Sequence, residues 1–261
     1  MLTKILEYAQ SFGDSLGMVV RDIPGGGAVT LNENRRFPSA SIIKVPIMWE
    51  YFRKLSEGGF KSEDRYILKN DVKVGVSRYD CGILREMHEG MELTYFDILS
   101  LMIIISDDTA TNILIDLLGM DNINATMRSL GLKNTFIRRV MMDYDKVRAG
   151  IDNETTAGDM DALLMLMVTE NERMKPEYRQ QMLTVLSKQQ INTAIPLFLP
   201  ETLKIAHKTG CIPEFDLEHD VGIVYSPQEE PLLAISLMSK NLRDSRTAFG
   251  TIAKMAYDLL R

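Results

Sequence analysis

Apolar residues recur every three to four positions through the middle of the chain, which is the spacing of amphipathic helices. Between residues 41 and 190 this spacing predicts six helices, over residues 41–55, 94–104, 109–118, 120–130, 156–169 and 176–187. Thr94 and Thr156, each followed three residues later by aspartate, resemble the caps that start helices. Further helices are predicted over residues 3–12 and 246–260.

Shorter apolar runs near both ends of the chain predict β-strands. Residues 16–22 and 28–31 flank a Pro-Gly-Gly-Gly turn, and three more strands are predicted over residues 203–208, 221–225 and 232–238. Two strands before the helices and three after them indicate a single antiparallel sheet that is built from both ends of the chain.

We therefore expect an α+β fold with two lobes in one structural unit. Residues 1–45 together with residues 196–261 are expected to form an α/β lobe, and residues 46–195 an all-α lobe. Because clefts between lobes are common positions for ligand sites, we expect the active site at the lobe interface.

The composition is that of an ordinary globular protein. The 261 residues are 45% hydrophobic and 25% charged, and the net charge of −6 disfavours nucleic acid as a partner. The N-terminal segment lacks the apolar region of a signal peptide, and no apolar run approaches the roughly 20 residues that span a bilayer. We expect a cytoplasmic protein without a membrane span, while a secreted form already trimmed of its signal peptide stays open. Two cysteines, Cys81 and Cys211, predict reduced thiols.

Three short motifs follow one another along the chain: Ser41-Ile42-Ile43-Lys44, Ser106-Asp107-Asp108 and Lys208-Thr209-Gly210. Each is weak evidence alone, since a Ser-x-x-Lys pattern is expected roughly once by chance in a chain of this size. Here the three motifs fall at a predicted helix start, just past a helix end and at a strand end. Their joint occurrence in this order indicates one active site.

The chemistry of the first motif is that of an activated nucleophile. A serine hydroxyl attacks poorly until a base takes its proton. Residues three apart on a helix share a face, so Lys44 can lie beside Ser41. A lysine that is desolvated and crowded by another cation, such as Lys208, can lose its proton near neutral pH. We therefore predict Ser41 as the nucleophile and Lys44 as its proton-handling partner.

The set of motifs is the signature of class A β-lactamases and penicillin-binding proteins, and the chain resembles the class A β-lactamase family beyond it. The resemblance extends to Phe37-Pro38 and to residues 82–84, 102–112 and 219–224. It implies a five-stranded antiparallel sheet with flanking helices plus an all-α lobe. It also implies a small-molecule substrate, an acyl-enzyme intermediate, and neither a cofactor nor a metal.

The resemblance further assigns roles to individual residues. Ser106 would relay a proton to the leaving nitrogen, and Lys208 and Thr209 would bind the carboxylate of the substrate. The backbone N–H groups of Ser41 and Cys211 would form the oxyanion hole.

The chain departs from the family at the residue that hydrolyses the acyl-enzyme. The family uses a glutamate on a loop between the second and third motifs, and a gap-free count places Met141 at that position. Methionine cannot act as a base. Asp143 and Asp145 are nearby carboxylates, and with a small shift of the loop Asp143 is the candidate for this role; the alternative is that both are ordinary loop residues. Arg139 and Glu154 match the ion pair that closes the loop in the family.

A second departure is Asp108, which stands where the family has asparagine. An ionised carboxylate has no hydrogen to donate to the amide oxygen of the substrate. Either Asp108 pairs with Lys44 and favours its charged form, or it is turned away. Acidic residues also alternate after the third motif, at Glu214, Asp216, Glu218 and Asp220, and would repel an anionic substrate if they line one rim.

Three functions fit these observations. The first is the opening of β-lactam amides through an acyl-enzyme on Ser41, with slow deacylation if no carboxylate replaces the missing glutamate. The second is a cytosolic carboxylesterase or D-amino-acid peptidase on the same scaffold. The third is a penicillin- or peptide-binding domain without turnover. A metal hydrolase is disfavoured because His88, His207 and His219 lack His-x-x-x-His spacing.

Overall fold

A computed structural model of the protein describes residues 2–75 and 81–260. Its central sheet has five antiparallel strands in the order β2-β1-β9-β8-β7. These strands are Leu16–Asp22 (β1), Ala28–Leu31 (β2), Ile205–Ile212 (β7), Leu217–Tyr225 (β8) and Pro231–Ser239 (β9). The predicted sheet and its assembly from both ends of the chain are therefore confirmed.

Two small ladders accompany the sheet. They pair Phe37–Pro38 (β3) with Glu154–Thr155 (β6), and Arg65–Ile67 (β4) with Glu92–Thr94 (β5). These strands have two or three residues each, which is too short for an alternating pattern to predict. The first ladder ties the segment before Ser41 to the end of the loop that contains Met141.

The strand that carries the third motif is longer than the sequence predicts. β7 continues to Ile212 because Lys208, Thr209 and Gly210 pair with Val221, Asp220 and His219 of β8. The motif therefore lies inside the strand and not at its end. Its polar residues interrupt the apolar run, which is why the hydrophobic pattern ends too early.

The predicted helices form with small shifts at their ends, and one further helix appears. They are Leu2–Gln10 (α1), Lys44–Ser56 (α2), Tyr95–Ile104 (α3), Asp108–Leu118 (α4), Met120–Ser129 (α5), Tyr144–Arg148 (α6), Ala157–Val168 (α7), Pro176–Leu186 (α8) and Ser245–Leu259 (α9). Helix α6, which the hydrophobic pattern did not predict, has five residues. In the part of the chain that is described, no helix has the length and apolarity needed to cross a membrane.

Apolar side chains are buried on both faces of the sheet. On one face α7 packs against β1 and β9, and α8 packs against β7. On the other face α1 and α9 cover the sheet, and the side chains of Val20 and Phe249 belong to this second core. Val19 belongs to the first core, so successive residues of β1 face opposite sides, as in any strand covered on both faces. The proposed division into lobes at residues 45 and 196 stays a prediction.

Candidate active site

Ser41 lies in a 3-10 turn, Ala40–Ile43, that leads directly into α2. The neighbouring strand β7 approaches this turn closely at Gly210. A Cβ atom on Gly210 would come within 2.9 Å of the backbone nitrogen of Ser41 and 3.0 Å of that of Ile42. Glycine is therefore required in the third motif because the strand backbone packs against the nucleophile's own backbone.

Lys44 is fully buried and lies at the centre of a hydrogen-bond network. Its Nζ lies 3.1 Å from Oγ of Ser41, 3.0 Å from Oγ of Ser106 and 2.8 Å from the Ser106 carbonyl oxygen. It also forms an ion pair of 2.8 Å with Oδ1 of Asp108. The predicted proximity of Lys44 and Ser41 is present in the structure.

Ser106 connects this lysine to the third motif. Its φ of +60° is uncommon for a residue other than glycine. Its hydroxyl accepts hydrogen bonds from Lys44, at 3.0 Å, and from Nζ of Lys208, at 3.1 Å. Lys208 also donates to the carbonyl oxygen of Thr209 at 2.9 Å. Burial and the nearby charge of Lys44 lower the pKa of Lys208 to about 7, so Lys208 can exchange a proton near neutral pH.

Asp107 holds the second motif in place. One oxygen caps α4 by accepting from the Ala110 N–H at 2.8 Å, and the other accepts from the N–H groups of Ile83 and Leu84 at 2.7 and 2.8 Å. A Cβ atom on Gly82 would lie 2.1 Å from the carboxylate of Asp107. The resemblance at residues 82–84 thus has a physical basis, because this segment binds the aspartate beside Ser106.

Asp108 faces Lys44 and is not turned away. Its Oδ1 binds Lys44 at 2.8 Å, and its Oδ2 accepts from the Cys81 N–H at 3.1 Å. Both oxygens are engaged, and the residue is 4% exposed. Of the two alternatives that the sequence left open, the structure shows the ion pair.

Met141 lines the same cavity as Ser41. Asn112, one turn after Asp108 on α4, fixes its backbone: Oδ1 of Asn112 accepts from the Met141 N–H at 2.7 Å, and Nδ2 donates to the Met141 carbonyl at 3.1 Å. The sequence analysis assigned no role to Asn112. Its spacing of four residues from Asp108, which places both on one helix face, is the signal that could have identified it.

Asp143 does not line the cavity that contains Ser41, which counts against its predicted role as the base, and that role stays a prediction. Asp143 caps α6 by accepting from the Lys146 N–H at 3.1 Å, and its side chain does not line the cavity that contains Ser41. The cause is a local reversal of the chain, since Met142 adopts a φ of +65°. Met141 therefore contacts the cavity, whereas Asp143 lines a different surface hollow.

The predicted ion pair between Arg139 and Glu154 is wrong. Arg139 binds Asp152 instead, with 2.7 Å from Nη2 to Oδ1, and Glu154 binds Arg138 at 2.9 Å. Neighbouring residues in an extended chain point in opposite directions, so only one of two successive arginines can face a given partner. The loop is still closed by ion pairs, but Arg138 binds the partner that was predicted for Arg139.

The acidic residues that alternate after the third motif do not line one rim of the cavity. Glu214 lines the cavity, whereas Asp216 and Glu218 line a neighbouring hollow. Glu218 pairs with Arg246 at 3.0 Å. Asp220 is fully buried and binds Nδ1 of His207 at 2.9 Å. One exposed carboxylate of the four therefore borders the site.

Thr209 and Cys211 lie on β7 beside the turn that contains Ser41. Thr209 is 4% exposed, and Cys211 lines the cavity. Burial and the nearby Glu218 raise the pKa of the Cys211 thiol to about 11, so the thiol stays protonated at neutral pH. Their predicted roles in binding the substrate carboxylate and in the oxyanion hole stay predictions.

The cavity has a volume of about 290 Å³ and opens beside Ser41. Within residues 2–75 and 81–260, no group of three or more His, Cys, Asp or Glu side chains could hold a metal ion. A serine hydroxyl, two buried lysines and a bridging serine are the parts needed for acyl transfer by way of an ester on the enzyme. The site therefore defines a serine acyl-transfer hydrolase.

Comparison with known proteins specifies the family. Residues 2–260 match the beta-lactamase enzyme family, and the chain belongs to it. Beta-lactamase AST-1 of Nocardia asteroides is 26% identical over 96% of this chain and 80% of its own length. Beta-lactamase AER-1 of Aeromonas hydrophila is 23% identical over 98% of this chain and 86% of its own length. The protein is thus a serine hydrolase that acts on amide bonds.

Solved structures agree with this assignment. The beta-lactamase of Sphaerobacter thermophilus DSM 20745 has a TM-score of 0.86 and 30% identity, covering 99% of this chain and 96% of that one. PBP-A has the same TM-score at 26% identity, with coverage of 99% and 96%. A glutamate-for-leucine mutant of PBP-A, solved as an acyl-enzyme with penicillin-G, is similarly close, at 27% identity and a TM-score of 0.86. The fold is that of class A β-lactamases.

Proposed function

We propose that the protein opens β-lactams through an acyl-enzyme on Ser41 and releases the product slowly. The observation that carries this proposal is the contrast within one cavity. Hydrogen bonds link the four side chains that would form the acyl-enzyme in the order Ser41, Lys44, Ser106 and Lys208. Met141, which the sequence count places at the family's deacylating glutamate, lines the same cavity.

In the acylation step, Oγ of Ser41 forms a bond to the lactam carbonyl carbon, and the bond from that carbon to the ring nitrogen breaks. Lys44 must release a proton before it can accept the one from Ser41. Hydrogen bonds of 3.0 and 3.1 Å connect Lys44 through Ser106 to Lys208, whose pKa of about 7 lets it take up that proton. Lys44 then takes the proton of Ser41, and Ser106 gives its own proton to the leaving nitrogen and regains one from Lys208. Over the step Ser41 loses one proton and the ring nitrogen gains one.

In the deacylation step, a water molecule needs a base beside the ester. The thioether of Met141 cannot accept a proton. Asp108 already uses both carboxylate oxygens in hydrogen bonds, and Asp152 is paired with Arg139. Glu214 also lines the cavity, but it is exposed on the β7–β8 hairpin, and no side chain among the described residues fixes it beside the ester. General-base catalysis contributes about 10² to 10⁴ in rate, so without a positioned base the acyl-enzyme is long-lived.

A second candidate is a covalent penicillin-binding protein with negligible turnover. PBP-A is 26% identical over 99% of this chain, but the beta-lactamase of Sphaerobacter thermophilus is 30% identical with the same TM-score, so the first candidate is preferred. The two candidates share the acylation step and differ only in how fast Ser41 is released. Antibiotic resistance would follow only from the faster release.

Intact-mass spectrometry tests the proposal. The protein is incubated with benzylpenicillin, and hydrolysis of a chromogenic cephalosporin is followed in parallel. We expect a mass increase of one penicillin per chain, then a slow return to the free mass. The Ser41→Ala variant should show neither. Unmodified wild-type protein without hydrolysis would contradict the proposal, and turnover that survives Ser41→Ala would remove Ser41 from the mechanism.

A further inference from the structure

Two apolar walls border the cavity beyond Ser41. The loop after Met141 contributes Met142, Tyr144 and Val147, and the β7–β8 hairpin contributes Pro213 and Phe215. These residues face one another across the entrance from separate parts of the chain. A substrate group held between them would therefore lose water from both sides.

Tyr144 and Phe215 are among the exposed large apolar residues, at 46% and 52%, and both line the cavity. Neither ring belongs to the two hydrophobic cores, so their positions are not explained by packing within the fold. Exposed apolar groups that are rimmed by polar residues mark binding surfaces. The two rings are placed to cover an apolar part of the substrate.

The cations near this entrance are already engaged. Lys44 and Lys208 are fully buried. Arg139 binds Asp152, and Arg148 binds Asp145. Lys44, Lys208 and Arg139 are therefore committed to these partners, whereas the pair of Arg148 with Asp145 is largely exposed and weak.

The carboxylate of Glu214, which lies at the entrance, has no ion-pair partner among the described residues. Glu214 is exposed, lies between Pro213 and Phe215, and lines the cavity. Among residues 2–75 and 81–260, no cation lies within ion-pair distance of it, whereas Glu218 on the next strand is paired with Arg246. The entrance therefore combines aromatic surface with an uncompensated negative charge.

From this arrangement we infer the class of acyl side chain that the site prefers: an aromatic or alkyl group that bears a protonated amine. The apolar walls bind the hydrocarbon, and Glu214 attracts the ammonium group, which also interacts favourably with an aromatic face. A side chain with a carboxylate at the same position is repelled. This inference rests on the proposed function, because it concerns the substrates that acylate Ser41.

Three penicillins test it, because they share the ring system and the phenyl group and differ at one carbon. Benzylpenicillin is unsubstituted there, ampicillin has an ammonium group, and carbenicillin has a carboxylate. The measurement is the second-order rate constant for acylation of Ser41, followed by intact mass at low ionic strength. We expect ampicillin to react fastest and carbenicillin slowest, with about a threefold difference at each step, the size of an exposed charge pair.

Variants of the hairpin separate this charge effect from general effects. Glu214→Gln should bring the three rate constants together. Asp216→Asn is the matched control, because it removes one charge from the same hairpin but outside the cavity. Asparagine also tolerates the left-handed backbone of Asp216, whose φ is +42°. The control should keep the wild-type order.

The apolar walls are tested by Phe215→Ala and Tyr144→Ala. Each variant should acylate about tenfold more slowly than wild type with benzylpenicillin, once the change seen with a penicillin that has an acetyl side chain is subtracted. The reason is that the variant covers less apolar surface of the phenyl group. The inference would be overturned, with the proposed function intact, if the three penicillins acylated the wild-type protein at equal rates. It would also be overturned if Glu214→Gln kept the wild-type order of the three rate constants. No acylation by any of the three penicillins would overturn both.

Discussion

Lys44 and Asp108 form a buried ion pair at the centre of the site, with 2.8 Å between Nζ and Oδ1. The lysine side chain is fully buried, and that of the aspartate is 6% exposed. Removing one partner of such a pair leaves an uncompensated charge in a place that water does not reach. This pair therefore links the stability of the protein to the same lysine that contacts the nucleophile.

We predict that Asp108→Asn accelerates acylation by benzylpenicillin. The amide oxygen can still accept from Lys44. The amide nitrogen replaces the oxygen that accepts from the Cys81 N–H, so it must turn away from that N–H to donate to the carbonyl oxygen of the substrate side chain, which a carboxylate cannot do. One added hydrogen bond corresponds to about a tenfold gain. The rate of mass increase measures it, and thermal unfolding should show a loss of stability. Asp108→Ala is the control and should show no gain; an asparagine variant slower than wild type would contradict this account.

We predict that Met141→Glu accelerates deacylation. Asn112 already fixes the backbone at this position, so a glutamate side chain would enter the cavity that contains Ser41. A carboxylate there can activate water, which is expected to raise the release rate by about 10² or more. The measurement is the rate at which the acyl mass disappears after excess penicillin is removed.

The matched variant is Met141→Gln, which has nearly the same shape as the glutamate but no basic group. It should release the product as slowly as wild type. If glutamine and glutamate accelerate release equally, the gain comes from shape or solvent access and not from base catalysis.

We predict that Asp143→Asn leaves the deacylation rate unchanged. The carboxylate caps α6 and does not reach the cavity, and asparagine caps helices as well as aspartate does. Asp143→Ala should lower the free energy of unfolding by about 1 kcal/mol, the cost of losing a helix cap. A slower deacylation in the asparagine variant would restore Asp143 as the base.

We predict that Lys208 makes the stability of the protein depend on pH. Its pKa falls from 10.5 in the unfolded chain to about 7 in the folded one. Between these two pH values the unfolded state binds more protons than the folded state, so the free energy of unfolding rises from about pH 7 to 10.5. Below pH 7 the folded protein bears the full cost of burying the charged lysine. Lys208→Met should flatten this rise and raise the free energy of unfolding at pH 6, on the order of several kcal/mol.

Urea unfolding at several pH values provides the measurement. Lys240→Met, at an exposed position, is the control and should keep the wild-type dependence. A Lys208→Met variant with an unchanged slope between pH 7 and 10.5 would show that another group causes it.

We also predict that acylation accelerates as the pH rises through about 7. Above this pH Lys208 is neutral and can accept a proton through Ser106. Lys208→Arg keeps a positive charge but cannot lose its proton, so its rate should be low and independent of pH in this range. A wild-type rate that falls as the pH rises would mean that binding of the substrate carboxylate by charged Lys208 dominates instead.

The residues that are close in sequence or share a regular element were predictable. The spacing of Ser41 and Lys44 along a helical turn placed them together, and the apolar runs identified all five strands of the sheet. The partners of Arg138 and Arg139 were not predictable, because a shift of one residue in an extended chain exchanges their directions. The position of Asp143 depended on the left-handed backbone of Met142, a conformation that its residue type does not favour.

The strand order has a consequence for synthesis of the protein. β9 lies between β1 and β8 and pairs with both, so the N-terminal hairpin of β1 and β2 has no partner until residue 239 has left the ribosome. A nascent chain would expose the unpaired edge of β1 during this time. We expect the sheet, and with it the approach of Gly210 to Ser41, to form only after translation is nearly complete.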